Sequence, residues 1–121
     1  MAKSRPILVV DDDESIREFV SVALSDEGYS VVTAGDGAQA LESIQRERPG
    51  VILLDMRMPV MDGWEFSRAY HATPAPHAPI IVVTAARDAA ERASQIQAEG
   101  FLAKPFDLED LLILVSRFAE G

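Results

Sequence analysis

Residues 7–12 read Ile7-Leu8-Val9-Val10-Asp11-Asp12, four apolar side chains followed directly by two carboxylates. A run that is apolar at every position, rather than at every second one, is typical of a strand buried on both faces of a parallel sheet. The carboxyl ends of parallel strands meet at one edge of the sheet, where binding sites form. We therefore expect one site at this edge. Three further polar residues follow apolar runs in the same way: Asp55, Thr84 and Lys104.

Segments with helical spacing alternate with these runs. Such alternation favours an α/β fold, here a doubly wound, five-stranded parallel sheet with five helices covering both faces. We predict strands at residues 7–10, 29–34, 51–54, 80–83 and 101–103. We predict helices after the first acidic residues, around 38–44, at 64–72, at about 88–99 and at 108–118. The first helix is expected to bury one stripe, made of Ile16, Phe19, Val20, Ala23 and Leu24.

The composition limits the possible functions. The chain has 121 residues, 48% of them hydrophobic, a formal net charge of −9 and no cysteine. The acidic excess argues against binding nucleic acid or an anionic membrane surface, and the lack of cysteine excludes disulfides and thiolate metal sites. The apolar runs are too short for a membrane span or a signal-peptide core. We expect a soluble, cytoplasmic protein with a single domain over residues 1–121 and no output domain.

The carboxylates suggest a particular chemistry. If Asp11, Asp12 and Asp55 meet, their charges repel one another unless a cation lies between them. Hard divalent cations prefer carboxylate oxygens. A carboxylate beside such a cation and the Lys104 ammonium is suited to accept a phosphoryl group, because phosphoryl transfer depends on positioning and charge neutralisation.

Four segments, each at the end of a predicted strand, carry a resemblance to a known family. They are Ile7-Leu8-Val9-Val10-Asp11-Asp12, Leu53-Leu54-Asp55-Met56-Arg57-Met58-Pro59 with Asp62-Gly63, Val83-Thr84-Ala85, and Lys104-Pro105-Phe106. In this order and spacing they resemble response regulator receiver domains, the CheY-like family of two-component signal transduction. The resemblance covers nearly the whole chain. It implies a flavodoxin-like fold with strand order 2-1-3-4-5, and a phosphorylation-dependent signalling switch.

Particular roles follow from this resemblance. Asp55 matches the phosphoacceptor, which takes its phosphoryl group from the phosphohistidine of a histidine kinase. The ligands of Mg²⁺ would be Asp11, Asp12, Asp55 and the backbone carbonyl of Arg57. Such a protein would catalyse only its own aspartyl phosphorylation and dephosphorylation, and would otherwise not be an enzyme.

The resemblance also implies a switch. Thr84 and Lys104 match the hydroxyl and the cation that contact the phosphoryl group, and Phe101 matches an aromatic switch residue. Added negative charge on Asp55 would draw Thr84 inward, and Phe101 would then rotate from an exposed to a buried position. The family uses a cis bond at Lys104-Pro105 to aim the lysine.

Partners are implied in the same way. A sensor histidine kinase or phosphotransfer protein would dock near the first helix and the loops around the site. A downstream protein or output domain would bind the fourth helix, the last strand and the last helix, so residues 87–99 and 107–118 are the expected switching face.

Two departures from the family pattern have expected consequences. Arg57 and Ala86 stand two residues after Asp55 and Thr84, beside the path of the water that removes the phosphoryl group. Ala86 has no polar group to orient that water, so we expect a phosphoryl lifetime that is moderate to long. The segment 97–100 reads Gln-Ala-Glu-Gly where the family has Gly-Ala, which leaves the turn before the last strand unspecified.

Structural interpretations compete with these roles. Asp13 is best explained as the cap of the first helix, Thr84 could also be a cap, and Phe101 could be an ordinary core residue. Other classes remain to be weighed. A phosphatase of the haloacid dehalogenase type needs an acid two residues after its nucleophile, where this chain has Arg57. A flavin carrier needs a phosphate loop where this chain has acids. The main alternative is a receiver-like scaffold that binds partners without phosphorylation.

Overall fold

The computed structural model describes residues 5–85 and 87–119, which form five strands and five helices in strict alternation. All strand pairs are parallel and the strand order is 2-1-3-4-5, so the predicted fold class and topology are confirmed. The strands are β1 Ile7–Val10, β2 Val31–Ala34, β3 Val51–Leu54, β4 Ile80–Ala85 and β5 Gly100–Lys104. The helices are α1 Glu14–Asp26, α2 Gly37–Arg46, α3 Gly63–His71, α4 Ala89–Gln95 and α5 Leu108–Ala119.

The core consists of two layers, one on each face of the sheet. Both β1 and β3 are buried at every position, as their unbroken apolar runs predict. Alternate strand residues point to opposite faces. On one face, Leu8 and Ile52 pack with Phe66 of α3. On the other, the neighbouring Ile7 packs with Leu24 of α1 and with residues of α5.

The predicted strand ends need correction. β2 begins at Val31 rather than at residue 29, because the Tyr29 N–H donates to the Leu24 carbonyl and so belongs to the end of α1. β4 and β5 run on to Ala85 and Lys104, which are paired with each other. Thr84 and Lys104 therefore lie inside strands and not beyond their ends.

The first helix confirms one prediction and contradicts another. The Asp13 carboxylate caps α1 by accepting hydrogen bonds from the N–H groups of Ser15 and Ile16. Phe19, which we placed in the buried stripe, is 50% exposed. Helical spacing alone could not separate Phe19 from its neighbour Val20, which is buried against the sheet. The third helix is shifted by one residue from its predicted range, to Gly63–His71.

The fourth helix is shorter than predicted. It ends at Gln95, because Gln97 adopts a left-handed conformation with φ 56°. The Ala98 N–H then donates to the Ala93 carbonyl, and the Glu99 N–H to the Ile80 carbonyl, which turns the chain into β5. The position just past a helix end usually holds glycine when φ is positive. The displaced glycine of segment 97–100 therefore leaves glutamine in a conformation that suits glycine.

We expect Gln97→Gly to raise the free energy of unfolding by about 1 kcal/mol, because glycine removes the steric cost of a left-handed side chain. Urea denaturation measures this change. The matched control is Ala90→Gly, at an exposed position of α4, which should lose about 0.5–1 kcal/mol. Equal losses in both variants would contradict this explanation of the turn.

Within residues 5–85 and 87–119, none of the helices has the length and apolar character needed to cross a bilayer.

Candidate functional site

Three carboxylates meet at the carboxyl edge of the sheet. Asp11 and Asp55 directly follow β1 and β3, and these strands are in register with Val10 beside Leu54. The carboxylates of Asp11, Asp12 and Asp55 each place one oxygen within 4.8 Å of the others. Asp11 and Asp55 are buried, whereas Asp12 is exposed. As the rule for parallel strand ends predicted, the fold places Asp11 and Asp55 together although they are more than forty positions apart in the sequence.

Lys104 supplies the positive charge of the cluster. Its Nζ donates a hydrogen bond to Asp11 Oδ2 at 2.8 Å and lies 3.6 Å from Asp55 Oδ2. Burial opposes the charge on Lys104, but the hydrogen bond to Asp11 and the charges of both carboxylates outweigh it and raise its pKa. The lysine is therefore a permanent cation between two acids.

Asp55 has a raised pKa in this cluster. Burial, together with the nearby charge of Asp11, raises the pKa of its carboxyl to about 6 from 3.8, against the opposing charge of Lys104. One ammonium group faces three carboxylates, so the cluster keeps an excess of negative charge when all are ionised. A hard divalent cation would balance that excess, and the oxygen-only donor set suits such an ion.

An open cavity of about 520 Å³ gives access to Asp55. Its polar wall holds Asp55, Arg57, Thr84 and Lys104. Thr84 is buried in β4. The Arg57 N–H lies 3.5 Å from Asp55 Oδ1, so the backbone of Arg57 borders the cluster. The rest of the wall is apolar and comes from Ile16, Phe19, Ala85, Pro105 and Phe106. The Lys104–Pro105 bond is cis, as the resemblance implied.

The sequence profile of the response regulator receiver domain matches residues 7–116, which covers every element of the fold except the last turn of α5. The chain belongs to this family. Its members are signalling proteins of two-component systems whose general role is a phosphorylation switch.

Individual relatives agree with this assignment. The receiver domain is 44% identical over 108 residues to response regulator MprA of Mycobacterium leprae, a match that covers 88% of this chain and 47% of that protein. The chain thus spans about half the length of the curated relatives it matches. The chemotaxis response regulator CheY4 of Vibrio cholerae superposes with a TM-score of 0.86 and 39% identity, over 96% of this chain and 99% of that one. The receiver domain of NtrX from Brucella abortus gives a TM-score of 0.86 and 31% identity, over 95% and 98% of the two chains.

Phe101 does not line the cavity that gives access to Asp55. It occupies β5 beside Val82 and is 48% exposed, so its interpretation as an ordinary core residue is wrong. Its exposure is the starting position that the switch hypothesis requires. The movement itself stays a prediction. Ala86, on which the expected phosphoryl lifetime depends, lies outside the described residues.

Two supporting residues of the receiver domain were not predicted. Arg17 Nη1 donates to the Asp11 carbonyl at 2.7 Å, and so ties the first helix to the loop that carries the acidic pair. Gly63, noted only as part of a motif, donates from its N–H to the Met56 carbonyl, and a Cβ there would lie 3.0 Å from the Asp55 carbonyl oxygen. The close approach of α3 therefore fixes the backbone that follows Asp55. A basic residue one helical turn into α1 was the only signal for Arg17, and it is a weak one.

Proposed function

We propose that this receiver domain accepts a phosphoryl group on Asp55 from the phosphohistidine of a sensor histidine kinase or phosphotransfer protein. The observation that carries the proposal is the position of Asp55. Its carboxylate lies in an open cavity, within 3.6 Å of the Lys104 ammonium and beside two further acids. A nucleophile, a fixed cation and a metal-binding donor set are the parts that phosphoryl transfer requires.

The transfer step is a displacement at phosphorus. A carboxylate oxygen of Asp55 forms a new bond to the phosphorus atom as the bond from phosphorus to the histidine nitrogen breaks, and the electron pair of the broken bond stays on the imidazole. Lys104 would move its hydrogen bond from Asp11 to a phosphoryl oxygen, and the Thr84 hydroxyl would donate to another. The product is an acyl phosphate, which water can cleave at phosphorus to restore the carboxylate.

The residues that would hold the metal are the carboxylates of Asp11, Asp12 and Asp55, with the Arg57 backbone carbonyl as the fourth protein group. Mg²⁺ suits this set because it keeps several waters and needs only a few protein oxygens. When bound, it would neutralise charge on the transferred group. Asp11 would then be released from Lys104 and free the ammonium for the phosphoryl group.

The output would be a change in the face formed by α4, β5 and α5. Thr84 and Phe101 belong to adjacent strands, with Thr84 beside Ala103 and Phe101 beside Val82. Movement of the Thr84 hydroxyl toward a phosphoryl group would open space at β5, which an exposed Phe101 could fill. A downstream protein or output domain would read the difference. The domain itself would catalyse only its own phosphorylation and dephosphorylation.

Incubation with acetyl phosphate and Mg²⁺, followed by intact-mass measurement, tests this proposal. We expect the wild-type protein to gain one phosphoryl group, and Asp55→Asn or added EDTA to prevent it. Asp13→Asn is the matched control, because asparagine caps a helix as well as aspartate does and Asp13 lies outside the cluster. It should be phosphorylated normally. No adduct under any condition would favour the alternative, a scaffold that binds partners without phosphorylation.

We expect Lys104→Ala to slow phosphorylation by acetyl phosphate by about 100-fold, because the phosphoryl group loses a charge-assisted hydrogen bond. Lys104→Arg keeps the charge and should retain more of the rate. Stopped-flow measurements over a range of acetyl phosphate concentrations give the rate constants. An unchanged rate in Lys104→Ala would remove the lysine from the mechanism.

A further inference from the structure

A second and larger cavity lies at the opposite edge of the sheet, where the strands begin. Its volume is about 1030 Å³. Its lining comes from segments that precede β1, β3 and β4, and from α2, α3 and α5. Because α2 and α3 cover one face of the sheet and α5 the other, the cavity passes beneath the strand ends from one layer to the other. We call it the basal cleft.

Positive charge is concentrated at the rim of the basal cleft. Four of the eleven basic residues of the chain line it, namely Arg5, Arg46, Arg48 and Arg117, and all four are exposed. Among the described residues that line the cleft there is no aspartate or glutamate. The chain as a whole has a net charge of −9, so this surface runs against its overall charge.

Stabilisation of helix ends explains only two of these four arginines. Arg46 and Arg117 lie in the last turns of α2 and α5, where a cation offsets the negative end of the helix dipole. Arg46 also lies 3.8 Å from Glu42, in a pair whose side chains are both largely exposed and which contributes little. Arg5 precedes β1 and Arg48 lies between α2 and β3, so neither has a helix to stabilise. Arginines from separate segments that line one cleft create a local positive potential, which attracts anions.

The floor of the basal cleft is apolar and aromatic. Leu41 and Ile44 of α2 are only partly buried there, and Phe118 of α5 lies at the other end. The ring of Tyr70 packs edge-on against His77 at 4.9 Å. His77 is held in place because its Nε2 donates to the Thr73 carbonyl at 2.8 Å. A ligand in the cleft would thus meet apolar side chains and exposed arginines together.

We propose that the basal cleft binds an acidic, extended peptide segment of a partner protein, with aliphatic side chains on the floor and carboxylates at the arginines. Arginine forms paired hydrogen bonds with carboxylates, which favours such a ligand. The lining comes from several segments, from the loop before β4 to the end of α5, so an extended chain would contact more of them than a compact small molecule would. The cleft lies at the opposite edge of the sheet from Asp55, so a bound peptide would not contact the phosphoryl group.

Selection from a displayed library of random dodecapeptides tests this proposal, with unphosphorylated, metal-free protein as the target. Selected peptides should be enriched in Asp and Glu, and their binding should weaken with added salt. Affinity measured by fluorescence anisotropy should fall by about tenfold or more in the double variant Arg48→Glu, Arg117→Glu. Arg68→Glu is the control for the single variant Arg48→Glu, because both make the same change in charge and Arg68 is exposed on α3 but does not line the cleft. It should bind as the wild type does.

Three results would overturn the proposal. These are a selection without acidic enrichment, acidic peptides that bind Arg48→Glu and Arg68→Glu equally, and displacement of the peptides by inorganic phosphate alone. Far-UV circular dichroism establishes that each variant is folded. If the double variant does not fold, Arg48→Ala replaces it. Asp55→Asn should bind the peptides unchanged, so a failure of the phosphorylation proposal leaves this test intact.

Discussion

In metal-free buffer at about pH 7.5, Asp55→Asn is expected to be more stable than the wild-type protein, by on the order of 1–2 kcal/mol after allowance for solvent at the open side of the cavity. The cause is the cost of a buried carboxylate beside Asp11, which raises the pKa of Asp55 to about 6. Asparagine keeps the shape of the side chain and removes that charge. The same substitution should abolish phosphorylation, so stability and function change in opposite directions.

The pH dependence of this effect has a definite sign. The carboxyl of Asp55 has an ordinary pKa of 3.8 in the unfolded chain and a pKa of about 6 in the folded protein. Between these two pKa values the folded protein holds a proton that the unfolded chain has released, so ionisation of Asp55 lowers the free energy of unfolding as the pH rises from about 4 to about 6. Below about pH 4 Asp55 causes no such loss of stability, and above about pH 6 the loss has reached its full size.

Urea denaturation of both proteins across this pH range, in EDTA, measures the difference. The stability of Asp55→Asn relative to the wild type should grow between about pH 4 and about pH 6 and then level off. Mg²⁺ should reverse the order by stabilising the wild-type protein through binding. Asp13→Asn serves as the control and should track the wild type. Parallel curves for the wild type and Asp55→Asn would show that Asp55 carries no burial cost.

The second large effect is expected from Gly63→Ala, which should lower the free energy of unfolding by about 1–3 kcal/mol. A Cβ at this position would lie 2.6 Å from Met56 Sδ, 2.8 Å from Met56 Cα and 3.0 Å from the Asp55 carbonyl oxygen. Two of these atoms are backbone, so α3 or the chain after Asp55 must move. The variant should therefore also phosphorylate more slowly.

Gly35→Ala is the matched control for this prediction. A Cβ there would meet only side-chain atoms, at 3.4 Å from Gln39 Oε1 and 3.6 Å from Arg17 Nη1, which are ordinary contact distances. Thermal denaturation and the acetyl phosphate rate, measured on both variants, separate a specific contact from a general glycine effect. A Gly63→Ala protein as stable as Gly35→Ala would mean that the close approach of α3 is not required.

The sequence was most informative where a physical rule leaves little choice. Strands such as β1 and β3, apolar at every position, can be stable only between two layers of helices, and this places Asp11 and Asp55 at one edge. The cap at Asp13 was equally predictable, because the side chain bonds only to its own helix. Local rules of this kind need no knowledge of the rest of the fold.

The sequence-based predictions that were wrong depend on contacts between distant segments. Phe19 has the spacing of a core residue but lines the cavity at Asp55. The position of α1 over the sheet decides which residues of this helix the sheet buries. The early end of α4 depends on the bond from Glu99 to Ile80, and the extension of β4 depends on its partner β5. The basal cleft combines arginines that are up to 112 positions apart (Arg5 and Arg117), so nothing in the local sequence indicates it.

The central claim is that Asp55 accepts the phosphoryl group, and borohydride trapping tests it most directly. Borohydride reduces an acyl phosphate to an alcohol and therefore converts a phosphorylated aspartate to homoserine, which peptide mass spectrometry can locate. After treatment with acetyl phosphate and Mg²⁺, we expect homoserine at position 55, and none at positions 11, 12 or 13. Homoserine at another aspartate, with position 55 unmodified in a protein that had gained a phosphoryl group, would contradict this account of the site.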